Sequence, residues 1–379
     1  MQDSRTLRNV DRYVGKAACG LISLVRSIGR LVTKTPASSP NFLPKKILLV
    51  ELFEMGASVM LSPSISYLQK TDPNVEIHAL VSRTCLPIWT AIGKLDADKI
   101  HVIESDSPVS FLLSAMKVLL SLRKIRFDLI IDYELFMRIS ALFVGVLKSR
   151  RRAGFYRYNL EGLERGEFYE TRCAFNQNSH ISRNYLSLTK AAYESRTALP
   201  NYKDSLPLEE ILVRPTIPRA TQAEVQHILG VAGPYFLICP DVGSTLAVRN
   251  YPRMAFATVI TELLRRYPLH RVVMIGTEEN AETSQAILKQ VGQANRCIDL
   301  CGKTNFNELL KVISAADLLI TNDNGPGHFS TLTDTKTLAL FSTDSPFMYG
   351  PLGNAVIAMD FESHFLRSLP MLRKTMFPI

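Results

Sequence analysis

The stretch Asp317-Leu-Leu-Ile-Thr-Asn-Asp-Asn-Gly-Pro-Gly-His328 holds the residue types best suited to chemistry in this chain. An apolar run ends in Asn322-Asp323-Asn324, turns through Gly325-Pro326-Gly327 and opens a helix at about Pro326, with His328 in its first turn. Unpaired N–H groups at such a helix start, aligned with the helix dipole, suit a diphosphate. Asp323 can accept hydrogen bonds from sugar hydroxyls, and His328 is placed to touch a phosphate. A second stretch is Pro240-Asp-Val-Gly243-Ser244-Thr245, followed by Arg249-Asn-Tyr251. Its small residues expose backbone amides, and the arginine offers a fixed positive fork to phosphate. In a third, Gly276-Thr-Glu278-Glu279, acids follow a strand, where a carboxylate can take both hydroxyls of a ribose. The fourth, Glu51-Leu-Phe-Glu54-Met-Gly56-Ala57, follows the first strand of the body. Glu54, with Glu51 behind it, can supply a general base, and Gly56 lets backbone approach a ligand closely.

Three other patterns compete. Gly325-x-Gly327-x-x-Ser330, with Asp344 at the end of the next strand, has the form of a dinucleotide fingerprint whose last glycine is replaced; it would mean an NAD(P)-dependent oxidoreductase. Asp96-Ala-Asp98 has the form used by metal-dependent sugar transferases, but it precedes a strand and predicts a surface turn. The run Lys148–Arg152 (KSRRR) predicts a local phosphate or lipid-headgroup patch rather than a nucleic-acid site. The six cysteines include no CxxC pair and have no nearby histidine pair, which predicts reduced thiols and no metal site.

Elements of an α/β protein must position these residues. Short β-rich runs at 47–52, 76–81, 99–104 and 127–134 alternate with helix-length segments at about 57–70, 84–94, 108–124 and 135–148. Residues 150–234 are more polar. The alternation then resumes with strands at 235–241, 270–276, 296–302, 317–323, 337–343 and 355–360. This predicts two consecutive Rossmann-like domains with parallel sheets, 45–215 and 216–360, and a tail, 361–379. Ligands of such sheets lie outside the carboxyl ends of the strands, so the cleft between the halves is the predicted site.

The length of 379 residues fits two domains, and 46% hydrophobic with 21% charged residues excludes disorder as the main state. The net charge of +9 is concentrated: residues 1–46 hold nine Lys or Arg against two acids, leaving the body close to neutral. Residues 1–44 form a basic arm and a proline-rich linker. Within it, Val10, Val14, Ala17, Ala18, Leu21, Leu24, Val25, Ile28 and Leu31 recur near a helical period. That pattern predicts an amphipathic helix that either lies on an anionic membrane, through residues 5–32, or docks on its own domain. Its apolar run, 17–25, is too short to span a bilayer.

Taken in order, these stretches resemble the heptosyltransferase group, glycosyltransferase family 9. The resemblance runs from about Lys45 to Pro351. It is most specific at NDNGPGH (322–328), where the family typically has D-S-G-P-x-H, and continues in FSTDSPFMYGP (341–351) and LCGKTNFNELLKVISAADLLI (300–320). It implies a GT-B fold of two doubly wound domains facing a central cleft. It also implies inverting transfer of a heptose-like sugar from a nucleotide sugar, ADP-heptose, to a lipopolysaccharide-type acceptor, with no cofactor or metal. The protein would be cytoplasmic and peripheral on the inner face of the plasma membrane. Asp323 would contact the donor sugar and the amides of Asn324, Gly325 and His328 the diphosphate. Arg249 would stand in for the family's lysine, and Glu278 or Glu279 would face the ribose. Gly56, Ala57, Asp132, Glu134 and His180 fall on the acceptor side, with a structural role as the stronger alternative for His180. One departure matters: the family commonly has its catalytic Asp where this chain has Ala57. Glu54 is the candidate substitute; the alternative is a non-catalytic nucleotide-sugar-binding protein.

Overall fold

The computed structural model describes residues 11, 15–33, 43–135, 137–155, 165–194, 207–241, 249–353 and 356–360. The expected Gly243-Ser244-Thr245 loop, the tail 361–379 and most of the arm before Lys16 lie outside these residues. The chain divides into two compact units, Met1–Ile211 and Leu212–Ile379.

Unit one runs α1 (Lys16–Thr33), β1 (Lys46–Val50), α2 (Met55–Met60), α3 (Ser62–Thr71), β2 (Glu76–Ser82), α4 (Leu86–Ile92), β3 (Ile100–Ile103), α5 (Pro108–Leu122), β4 (Phe127–Asp132), α6 (Ile139–Val146), β5 (Ser149–Phe155), β6 (Thr171–Cys173), α7 (Ile181–Tyr193) and α8 (Leu208–Ile211). Its sheet has the order β3-β2-β1-β4-β5-β6, with every pair parallel. Strands buried on both faces read as unbroken apolar runs, as KILLV and FDLIID do.

Unit two runs α9 (Gln222–Leu229), β7 (Tyr235–Cys239), α10 (Arg253–Arg266), β8 (Arg271–Met274), α11 (Ala281–Val291), β9 (Cys297–Asp299), α12 (Phe306–Ala315), β10 (Leu318–Asn322), α13 (Gly325–Phe329), β11 (Thr337–Phe341), α14 (Pro346–Tyr349) and β12 (Val356–Asp360). Its order, β12-β11-β10-β7-β8-β9, repeats the first in reverse listing, again all parallel. In each unit the first and fourth strands are neighbours. The strand order reverses between them, and the crevice outside their carboxyl ends is where such sheets bind ligands.

Three expectations change. The basic run 148–152 is only partly a surface patch: Lys148 and Arg150 are exposed, but residues 149–152 lie in β5, and Arg151 and Arg152 are buried. Arg152 donates from Nε to Val144 O at 3.0 Å and from Nη2 to Leu147 O at 2.9 Å, so the carboxyl end of α6 takes up its charge. The single helix expected over 57–70 breaks at Leu61 into α2 and α3. Finally, α1 both docks and exposes apolar surface. Cys19 is buried, and Arg26 Nε donates to Gly145 O at 2.6 Å, while Leu21, Leu24, Val25 and Ile28 stay exposed. The Asp96-Ala-Asp98 segment is the expected surface turn, with Asp96 paired to Lys99 at 2.8 Å.

Candidate active site

At the switch point of unit two, the Asn-Asp-Asn run at the end of β10 divides its labour. The two asparagines clamp the turn to the end of β7. Asn322 Nδ2 donates to Pro240 O at 2.6 Å, and its Oδ1 accepts from Tyr251 N at 3.3 Å. Asn324 Nδ2 donates to Asp241 O at 3.1 Å and to Cys239 Sγ at 3.2 Å, while its Oδ1 accepts from Thr321 Oγ1 at 2.6 Å. Asp323 between them is 6% exposed and meets Arg249, whose Nη1 lies 3.4 Å from Oδ2. Nη2 of Arg249 is held by Asp344. Burial pushes the Asp323 carboxyl up to about 6; Arg249 opposes this and Asp344 adds to it.

The turn that follows is shorter than the sequence implied. α13 opens at Gly325, one residue before Pro326, and gives way to a 3-10 turn at Ser330–Leu332. Asn324 precedes it in extended backbone, leaving the first amides of the turn outside any helical ladder. Gly327 packs close: a Cβ there would stand 3.3 Å from Thr321 Cγ2. His328 lies in this turn. Glu278 and Glu279 form an exposed 3-10 turn after β8. Gly302 holds that turn from below: its φ is +70°, and a Cβ would sit 2.9 Å from Glu278 Cα.

At the switch point of unit one, carboxylates gather. Glu51 follows β1 directly, and its amide donates to Leu80 O at 3.3 Å. It is wholly buried, and its Oε2 has no hydrogen-bond partner among the described residues. Burial, then Glu134, Glu54 and Asp132, push its carboxyl well above the ordinary range, against the pull of Arg165. Like charges so close, in a buried site, disfavour the ionised form of Glu51. Glu54, half-buried at the N-cap of α2, is the accessible carboxylate of the group. Gly56 and Ala57 lie in the first turn of α2, and the Ala57 methyl is buried.

Two acceptor-side expectations are corrected. Asp132 is fully buried and committed: its Oδ2 accepts from Arg165 at 2.8 Å, Tyr169 Oη at 2.6 Å and Ser140 Oγ at 3.3 Å. It forms the floor of the group rather than a surface for a ligand. His180 is the N-cap of α7, its Nδ1 accepting from Ser182 N at 3.1 Å, which makes it a structural histidine. Glu134 is also buried; its amide donates to Asp132 Oδ1 at 3.2 Å. Sequence reasoning missed Arg165 and Tyr169, which sit in an irregular stretch with no motif. Asp344, which the rival dinucleotide pattern included at the end of the next strand, pairs with Arg249. The dinucleotide reading falls, because the glycine turn follows the fourth strand of its unit and not the first.

Comparison with known proteins agrees with this fold. The sequence profile of glycosyltransferase family 9 (heptosyltransferase) matches residues 115–367. Lipopolysaccharide heptosyltransferase 1 of Campylobacter coli is 20% identical over 301 residues, 78% of this chain and 83% of that one. Among solved structures, E. coli ADP-heptose lps heptosyltransferase II superposes with a TM-score of 0.63 at 20% identity, over 83% of this chain and 90% of that one. E. coli heptosyltransferase WaaC with ADP gives 0.59 at 16% identity, over 83% and 93%. The fold is therefore GT-B, and the chain belongs to glycosyltransferase family 9 and is a glycosyltransferase.

Proposed function

We propose that the protein transfers a heptose from ADP-heptose to the inner core of a lipopolysaccharide or a related glycolipid, with inversion at the anomeric carbon and without a bound metal. The observation that carries this reading is the Arg249–Asp323 pair at the switch point of unit two. It sets a guanidinium for diphosphate beside a carboxylate for sugar hydroxyls. The likeness to E. coli ADP-heptose lps heptosyltransferase II and to E. coli heptosyltransferase WaaC with ADP supports the same donor.

In the proposed reaction, the Glu54 carboxylate takes the proton of an acceptor hydroxyl. The resulting oxygen attacks the anomeric carbon from the face opposite the nucleotide. The bond from that carbon to the diphosphate oxygen breaks, and the electron pair leaves with ADP. Arg249 and the amides of Asn324, Gly325 and His328 meet the charge that develops on the leaving group. Glu278 and Glu279 stand at a strand end suited to ribose. The protein works on the cytoplasmic face of the membrane that carries the acceptor, held there by the arm, residues 5–32.

A second reading, binding without transfer, has one observation in its favour: Ala57 presents a methyl where the family commonly has its base. One experiment separates the two. Purified protein in EDTA is given ADP, UDP, GDP and their sugars, and binding is read by the rise in melting temperature. ADP-heptose raising the midpoint more than ADP, followed by release of ADP when a truncated lipopolysaccharide is added, is the expected result. Binding with no ADP release from any core acceptor favours the second reading. A shift with UDP or GDP sugars alone replaces the donor.

A further inference from the structure

On unit one, α1 and α5 cover the same side of the sheet. Cys19 of α1 joins Phe111, Ala115 and Leu122 of α5 in one hydrophobic cluster with Leu48, Val50 and Ile130. Each helix also turns a second apolar face outward. On α5, Val109, Leu112, Leu113, Met116 and Leu120 are between 53% and 67% exposed. On α1, Leu21, Leu24, Val25 and Ile28 are between 52% and 63% exposed. The spacings i, i+3, i+4, i+7 make each set a continuous stripe along one helical face. Singly exposed leucines are ordinary; two such stripes on one side of a domain are not.

The charge around the stripes is one-sided. Residues 107–127 contain Lys117, Arg123, Lys124 and Arg126 and no acid; residues 16–33 contain Lys16, Arg26 and Arg30 and no acid. Lys16, Lys117, Arg123, Lys124 and Arg126 are exposed. Elsewhere, the surface of unit one mixes signs, as in the Lys45–Asp72 and Lys99–Asp96 pairs. Apolar stripes on helices that carry bases and no acid match a bilayer with anionic headgroups, in which stripe residues enter the acyl boundary while lysines and arginines stay at the phosphates; of the acids beside the helices, Glu104 and Glu167 are paired with Arg83 and Arg172, and Asp106 lies at the N-terminal end of α5. Among the described residues, no helix is long and apolar enough to cross a membrane, so such an interaction lies along the surface.

We propose that the outward faces of α5 and α1 are together the docking surface of this protein for an anionic lipid bilayer. This rests on the reading that the acceptor is lipid-linked, and it extends the contact from the N-terminal arm to α5 within the first domain. The test is co-sedimentation of the full chain with vesicles of equimolar phosphatidylcholine and phosphatidylglycerol, beside vesicles of phosphatidylcholine alone. Wild type is expected to pellet with the anionic vesicles only, and less so at high salt. The triple variant L112Q/L113Q/M116Q, whose side chains are exposed, is expected to bind about tenfold more weakly or worse. K117E/K124E is expected to lose the preference for phosphatidylglycerol. An unchanged melting temperature shows that each variant is folded. Wild-type protein that ignores anionic vesicles overturns the proposal, as does a triple variant that binds like wild type. Sedimentation velocity reads the other occupant: a dimer that the triple variant dissolves, with no vesicle binding, assigns the face to a second copy of the chain. No donor or acceptor enters the assay, so its outcome stands apart from that of the transfer reaction.

Discussion

Arg249 approaches the Asp323 carboxylate to 3.4 Å with one end of its guanidinium while Asp344 occupies the other. The fork that would receive a diphosphate is thus already shared between two acids. A doubly charged diphosphate competes with Asp344 for Nη2, and the carboxylate that loses is left closer to the incoming charge. Arg249→Gln should weaken ADP binding by ten- to a hundredfold, the range for a hydrogen bond to a charged group. Asp344→Asn should tighten it several-fold, because Nη2 is freed without loss of the Asp323 contact. Calorimetric titration of both variants with ADP decides the matter; a weaker D344N would mean that Asp344 positions Arg249 rather than competing for it.

Asp323 gives stability a pH dependence with a defined sign. Its carboxyl sits at about 6 in the folded protein against an ordinary 3.8. Between those values the folded chain holds a proton that the unfolded chain has released. The stability this contributes is present at low pH and is lost as pH climbs through about 6. Asp323→Asn lacks the titration. Its melting temperature relative to wild type should therefore rise between about pH 4 and pH 7, by no more than about 3 kcal/mol in free energy, the equivalent of two pKa units. A difference that stays flat with pH would place the burial penalty elsewhere.

For the proposed base, Glu54→Gln should reduce transfer by at least about a hundredfold, the low end of what general-base catalysis contributes, while leaving the ADP affinity of unit two unchanged. The informative companion is Glu54→Gln with Ala57→Asp. It returns a carboxylate to the first turn of α2, one helical turn along, at the position where the family commonly carries its own. Recovery of part of the activity would show that the lost function was proton transfer. A fully active Glu54→Gln would remove Glu54 from the reaction.

Both sheets were legible in the sequence because their strands are apolar runs flanked by polar turns: ILLVEL, YFLICPD and DLLITND each mark a buried parallel strand ending at a site. Asp323 and Arg249 were legible for the same reason, since each follows such a run. β5 was not. Its sequence, SRRRAGF, buries two of its three arginines, and local polarity gives no sign that the α6 carbonyls will take up the Arg152 guanidinium. His180 and Asp132 looked available for chemistry because a sequence shows the side chain but not its partners; one caps a helix and the other is filled by three donors. The α1 stripe read as a single apolar face, whereas the helix packs one edge and exposes the other, a division fixed by where α6 lies.

The Asp132 group makes the last prediction. Arg165 is fully buried, and burial works against its charge. Asp132, Tyr169 and Glu134 outweigh that effect and raise its pKa above the ordinary value. Removing one partner of such a pair leaves a charge in a dry site, at a cost of about 3–5 kcal/mol. Arg165→Met should be destabilised by that amount in urea titrations. Tyr169→Phe should lose about 1.5–3 kcal/mol, the worth of one hydrogen bond to a charged acceptor. Gly154→Ala should fall in the same class as Tyr169→Phe, because a Cβ at position 154 would stand 2.6 Å from Tyr169 Cε1 and turn the phenol away from Asp132. The double variant Arg165→Met with Asp132→Asn removes both charges, and it should be less destabilised than Arg165→Met alone. That ordering is specific to a buried pair, since independent losses would simply add. ADP binding, which depends on unit two, should survive in every one of these variants that remains folded at the temperature of the assay.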